Sequence, residues 1–255
     1  MTLARALRRP FSVTRLFDED PELFDGVARA EVEHAAARIP VKAYEILPGR
    51  WTGRLPGGEP ERGLGVLVVG GVLLRTVEAS GRRASELLGP GDLVRPWECE
   101  GGGASIPFAV RWDALERCRF AALEESTLRT ACRWPAVVGA LTGRAARRAD
   151  WLALQLTISD LRRVDDRLLS LFWHCADRWG SVAPAGIDVP LRVTHDVLAQ
   201  LVCAQRPTVT AALRRLQRQG FVRRRADRTW LLLRDPPDSL GLAAGPPADA
   251  IGIAS

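Results

Sequence analysis

Residues 194–225 read THDVLAQLVCAQRPTVTAALRRLQRQGFVRRR. Val197, Leu198, Leu201 and Val202 fall at helical spacing, and so do Val209, Leu213 and Leu216. Thr194 suits the N-cap of the first helix, because its hydroxyl can accept from an orphan amide. Pro207 suits the first turn of the second, where a missing N–H costs little. Gly220 follows the last periodic residue as a stop. The spacing therefore predicts two short helices joined by a tight turn, followed by a basic hairpin. The second helix is left with an outer face of Arg206, Thr208, Thr210, Arg214, Arg215 and Arg218. A helix-turn-helix places such a face in the major groove. There the planar arginine fork can pair with guanine, while hydroxyls and further arginines hold phosphates. An ordinary amphipathic helix pair with a solvated basic face has the same pattern, so cap, turn, face and hairpin count only together.

Working outward, the chain has 255 residues, enough for one large or two ordinary domains, and 47% hydrophobic residues mark it as globular. The net charge of +6 favours an anionic partner. Nearly all the positive charge is arginine, with Lys42 the single lysine, and it gathers at Arg214, Arg215, Arg218, Arg223, Arg224, Arg225 and Arg228. No apolar run reaches the length of a membrane span, and the early Arg5, Arg8 and Arg9 are not followed by the apolar core of a secretion signal. A cytoplasmic protein is expected. Cys99, Cys118, Cys132, Cys175 and Cys203 are scattered and odd in number, without a CxxC or Cys/His pair. No metal, cofactor or disulfide framework is called for.

Before residue 40 a short helix is expected over 31–38. From Val41 to Ala122 the pattern is one of short strands punctuated by glycine and proline. Residues 65–75 give two strands about Gly70-Gly71, and Gly89-Pro90-Gly91-Asp92 makes a turn. From Pro135 the period is helical, with Leu141, Ala145, Leu152 and Leu156 in a seam-like stripe. A break near Ser159-Asp160 offers a hinge, and the next helix carries Leu161, Val164, Leu168, Leu171, Phe172 and Cys175 on one face. A loop is expected over 180–190, a two-stranded wing over 221–225 and 229–233, and a disordered tail over 235–255.

Residues 193–222 resemble the C-terminal winged helix of the Crp/Fnr family of bacterial transcription regulators. Ala204-Gln205-Arg206-Pro207-Thr208-Val209-Thr210 is similar to that family's small-Ser-Arg-x-Thr-Val turn, with Gln205 in place of the serine. The resemblance implies that Arg206 reads a base and Thr208 contacts phosphate. It implies that Gln205 replaces a phosphate-contacting serine, with a base also within its reach, and that Arg214 and Arg225 contact the backbone. Thr194, His195 and Thr210 complete the expected DNA-binding set. Pro207 and Ala211 stand where many members have base readers, so the DNA site is expected to differ from familiar ones.

The strands of the first half resemble the family's sensor domain, a β jelly-roll of cyclic-nucleotide-binding type. The expected fold class is α+β: the jelly-roll over 1–134, a long dimerisation helix over 135–159 and a winged helix-turn-helix over 160–234. The cyclic-nucleotide signature is missing. No Gly-Glu follows Asp92, and Phe108 falls near the position of the phosphate-binding arginine. Glu98, Glu100 and Arg111 stand as displaced substitutes, against a remodelled pocket or none. Trp97, Phe108 and Trp112 are aromatic core or the lining of an apolar cavity, and 101–103 is a flexible loop. Since the first cysteine is Cys99, the N-terminal cysteine group of the family's iron–sulfur members is absent.

The partners implied are double-stranded DNA and a second copy of the chain meeting through Leu141, Ala145, Leu152 and Leu156, with RNA polymerase and an unidentified small-molecule effector as further candidates. No membrane is involved. The ligand-binding residues are unknown. Against an enzyme, His34, His174 and His195 all lie outside the β region, and no catalytic grouping stands out. The remaining alternative is a ligand-binding or protein-interaction module, a β-barrel domain joined to a winged helix that does not bind DNA.

Overall fold

The computed structural model describes residues 11–55, 63–98 and 105–234. Arg5, Arg8, Arg9, Cys99, Glu100, the glycines at 101–103 and the tail at 235–255 lie outside the described residues. The chain divides into two compact units, Met1–Leu154 and Gln155–Ser255.

In the first unit, β1 (Ser12–Arg15), α1 (Leu16–Glu19) and α2 (Val32–Arg38) precede eight further strands among the described residues: β2 (Pro40–Ile46), β3 (Gly49–Trp51), β4 (Gly65–Gly70), β5 (Leu73–Ala79), β6 (Arg82–Leu88), β7 (Leu93–Val94), β8 (Phe108–Ala114) and β9 (Cys118–Leu123). Two antiparallel sheets result, ordered β1-β2-β9-β4-β7 and β3-β8-β5-β6. Strand β9 lies at the centre of the first and is covered on both faces. Phe120 and Ala122 belong to one core cluster with Trp51, Val66, Leu73 and Trp112. Ala121 and Leu123 belong to another with Leu16, Phe24, Trp134 and Leu141. Alternation along one strand thus divides its side chains between two apolar layers.

These sheets correct the expectation of a jelly-roll. Among the described residues neither closes into a barrel: β1 and β7 are the edges of one sheet, β3 and β6 of the other. Strand β7 has two residues and β3 three, too short to carry a hydrogen-bond ladder from one sheet to the next. The turn at Gly70-Gly71 is as expected. Gly71 has φ +83°, and a Cβ there would meet the Arg117 carbonyl oxygen at 2.3 Å.

Helix α3 (Glu125–Ala131) leads into α4 (Pro135–Asp160), a helix of 26 residues. The expected break at Ser159-Asp160 falls later. The Ser159 hydroxyl donates back to the Gln155 carbonyl at 2.9 Å and stays inside the helix, and Arg163 caps the next one.

The second unit contains α5 (Val164–Trp179), β10 (Ser181–Ala183), β11 (Gly186–Val189), α6 (His195–Leu201), α7 (Arg206–Arg218), β12 (Val222–Arg224) and β13 (Trp230–Leu232). The stretch expected as a loop over 180–190 holds β10 and β11. They join the wing in a sheet ordered β10-β11-β13-β12. Two strands of three and four residues give too few alternations to register in the sequence. Leu168, Phe172, Leu198, Leu201, Val209, Leu213 and Trp230 form the buried interior, with the Phe172 and Trp230 rings 4.8 Å apart.

Candidate nucleic-acid interface

Thr194 caps α6: its hydroxyl accepts from the Val197 amide at 3.3 Å. Val202, Cys203 and Ala204 make the turn, and Gln205 enters α7 in extended conformation as its N-cap, with its side chain exposed. Pro207 stands in the first turn of α7. Val209, Ala212, Leu213 and Leu216 are buried, whereas Arg206, Thr208, Ala211, Arg214 and Arg218 are exposed on the other side. Gly220, at φ +74°, ends the helix. Burial of one stripe thus fixes which residues face out.

His195 and Thr210 join the two helices, with His195 Nδ1 2.9 Å from the Thr210 hydroxyl. Burial pushes the His195 pKa down, and Arg224 and Arg206 push it the same way. Asp196 lies beside Arg206, with 3.6 Å between Oδ1 and Nε, and both are exposed. Arg214 and Arg218 line a shallow depression with Ala211, Arg215 and Gln217.

On the wing, Arg223, Arg225 and Arg228 are exposed, and the Arg224 guanidinium lies over the Trp230 ring. Arg225 donates to Asp188 of β11, which holds its head against the sheet. The turn is fixed by Asp227, which accepts from the Thr229 amide at 3.1 Å and hydroxyl at 2.7 Å. Those two bonds hold the Asp227 carboxyl below its usual range. Arg192 joins this end through the Asp227 carbonyl.

The eight expected DNA-binding residues, Thr194, His195, Gln205, Arg206, Thr208, Thr210, Arg214 and Arg225, therefore lie on α6, α7 and the wing of one unit. Arg215 does something the sequence pattern did not disclose. It turns back to α5 and pairs bidentately with Asp165, Nε to Oδ2 at 2.8 Å and Nη2 to Oδ1 at 2.5 Å. Nothing local marks a partner fifty residues upstream. Asp188 as the mate of Arg225 was equally hidden.

The four residues of the expected dimer seam are not alike. Leu141 is fully buried in its own unit, Leu152 is half-buried, Ala145 is exposed, and Leu156 is 69% exposed. In the β unit Trp112 is buried, Trp97 packs against its cluster and Phe108 is half-buried. Arg111 is paired with Asp113 at 3.0 Å, and Glu98 ends a single helical turn at Pro96. Among the described residues no group of His, Cys, Asp or Glu could hold a metal ion, and no helix is long and apolar enough to cross a membrane.

Residues 162–238 match the Crp-like helix-turn-helix domain. Over those residues the chain carries a Crp-like helix-turn-helix domain. Solved structures share its fold. A CooA variant from Carboxydothermus hydrogenoformans is 16% identical with a TM-score of 0.57, over 91% of this chain and 96% of that one. FixK2 from Bradyrhizobium japonicum is 15% identical with a TM-score of 0.55, over 79% and 96%. A cyclic nucleotide-binding domain containing protein from Listeria monocytogenes EGD-e is 14% identical with a TM-score of 0.57, over 77% and 90%. A comparison with curated protein sequences finds no match. At these identities the structural likeness speaks for the fold, and the domain match speaks for residues 162–238.

Proposed function

We propose that this chain is a transcription regulator of Crp/Fnr type that binds double-stranded DNA sequence-specifically as a homodimer. The observation that carries the reading is the outer face of α7, where Gln205, Arg206, Thr208 and Arg214 are exposed on a helix whose opposite stripe is buried. Arg206 and Gln205 are the base readers. Thr194, His195, Thr208, Thr210, Arg214 and Arg225 contact the backbone, which sets register without reading sequence. The N-terminus of α7 adds a partial positive charge toward phosphate.

One recognition helix covers few base pairs, and a two-fold dimer reads two half-sites about one helical turn apart. The copies meet along α4 beyond Leu141, where Ala145, Leu152 and Leu156 offer apolar surface. In this reading 1–134 is the sensor, 135–159 the dimerisation helix and 160–234 the reader. A DNA partner places the protein in the cytoplasm. The usual cyclic-nucleotide signature is missing, so cAMP is not its effector by that route.

Selection of duplexes from a random pool at about 150 mM salt, which suppresses non-specific binding, tests the reading. A two-fold-symmetric motif is expected. Absence of enrichment, with and without cell extract, would overturn it and favour a winged helix that binds protein. Leu156→Asp is expected to shift the protein toward monomer in light scattering. An unchanged mass would remove α4 from the interface.

A further inference from the structure

The recognition helix is anchored to the unit at two points, and both anchors sit on the first turn of α5. At its C-terminal half, Arg215 makes the bidentate pair with Asp165, whose side chain is 9% exposed. Before its N-terminus, Arg167 binds the turn. Its Nη1 donates to the Val202 carbonyl at 3.1 Å and to the Cys203 carbonyl at 3.4 Å, while its Nε donates to the Leu161 carbonyl at 2.6 Å. Gln155 adds a third strut, Nε2 to the Leu201 carbonyl at 2.8 Å. The carbonyls at the end of α6 have no partners within that helix, so a guanidinium and an amide fill a need that helix geometry creates. Cys203 has φ +49°, a conformation that a non-glycine residue keeps only where its surroundings hold it.

Arg206 and Arg215 are nine residues apart on α7, roughly 14 Å along the axis. The apolar stripe of α7 fixes how deep the helix lies but resists rotation and sliding weakly. Bidentate and forked hydrogen bonds at separated points fix its angle, and recognition geometry needs placement to within about 0.5 Å. With the Arg215 side chain 42% exposed, water screens the pair and its net stabilisation is small, so its return is in geometry.

We propose that Asp165 and Arg167 are positioning residues, a two-point clamp that sets the angle at which α7 presents Gln205 and Arg206 to base edges. The clamp rests on the reading of α7 as the DNA reader. It makes Arg215 an internal strut rather than a phosphate contact.

The test uses the full chain, the duplex selected by the unaltered protein, and a scrambled duplex of equal length. Affinities come from fluorescence anisotropy at about 150 mM and about 50 mM salt. Asp165→Asn is expected to weaken selected-site binding about tenfold, because α7 loses its angle. Scrambled-site binding is expected to hold or rise, because Arg215 is released and a carboxylate lost. Arg167→Gln is expected to weaken the selected site similarly, and the scrambled site by no more than about twofold. Adding Arg215→Gln to Asp165→Asn is expected to cost no further specificity, since the two act as one pair.

Equal changes on both duplexes would overturn the clamp and make Arg215 a phosphate contact. If either variant loses its helical circular dichroism, Asp165→Glu and Arg167→Lys replace them. Both keep the charge and alter reach, and an unchanged specificity ratio in folded protein would overturn the proposal. If the unaltered protein enriches no duplex, the DNA reading and the clamp fall together. If it enriches one and the variants keep its specificity, the clamp alone falls.

Discussion

A set of largely half-buried arginines in the β unit and a set of exposed arginines in the winged-helix unit are placed in different ways. Those of the β unit turn to carboxylates. Glu86 accepts from Arg75 at 2.7 Å and from Arg148 at 2.8 Å. Arg119 reaches Glu19 at 2.6 Å and Glu45 at 3.3 Å, and Arg144 reaches Asp20 at 2.8 Å. Asp113 serves both Arg50 and Arg111. In the winged-helix unit Arg214, Arg218, Arg223 and Arg228 are exposed without a carboxylate partner among the described residues. Net charge alone would not separate these roles. An arginine held deep by a carboxylate is part of the fold, whereas one left to water is available to an anion; Arg29, Arg38, Arg82 and Arg147 of the β unit are exposed too, and what sets the winged-helix unit apart is that four such arginines share one helix and its adjoining hairpin.

The largest effect expected comes from the inside of the winged-helix unit. His174 is buried on α5, and burial, with Arg178 adding to it, pushes its pKa down to about 4. The unfolded chain takes up the proton near pH 6.5, so the folded state binds fewer protons in this window. Its contribution to stability is full above about 6.5 and is lost as pH falls through the folded value, about 3 kcal/mol by pH 4. Urea unfolding at pH 7.5 and pH 4 measures that loss, and His174→Gln is expected to remove it. An undiminished acid slope in the variant would place the effect elsewhere.

Next are two substitutions that pull the two classes of arginine apart. Glu86→Ala strands Arg75 and Arg148, each 22% exposed, and is expected to destabilise the protein by about 2 kcal/mol. Arg206→Ala is expected to leave the melting temperature alone and to cost ~1–3 kcal/mol at the selected site, with relaxed preference at one base position. A stability loss from Arg206→Ala would show that its exposed 3.6 Å contact with Asp196 belongs to the fold, and an equal loss on every duplex would remove it as a base reader.

Legibility in the sequence follows the range of the interactions. Helices α6 and α7, the Thr194 cap, the Gly220 stop and the wing are local patterns, and all could be read. The family resemblance was legible in the seven residues of the turn. What escaped lies between distant residues. Asp165 with Arg215, Asp188 with Arg225, and Arg167 on the Val202 and Cys203 carbonyls leave no local signature. The sheets failed for a related reason. Strand spacing predicts strands, but whether two sheets close depends on edge pairings such as β3 and β7, whose few residues do not disclose a partner. The stripe on α4 was legible as apolar, yet Leu141 turns into its own core and Leu156 into solvent.

The smallest effect expected is also the finest test of the comparison. Arg214 is exposed on α7, one residue from Arg215 and identical to it in chemistry. If exposure without a carboxylate is what makes an arginine available, Arg214→Ala releases one fewer counterion when DNA binds. The plot of log affinity against log salt then flattens by about 0.9, on selected and scrambled duplexes alike. Arg215→Ala is expected to leave that slope unchanged, because its charge is already neutralised by Asp165. Two neighbouring arginines, one moving the slope and the other only the specificity, would establish the division within a single turn of helix. Equal slopes for both variants would show that DNA draws Arg215 away from Asp165, and that pairing in the free protein does not decide which arginines serve.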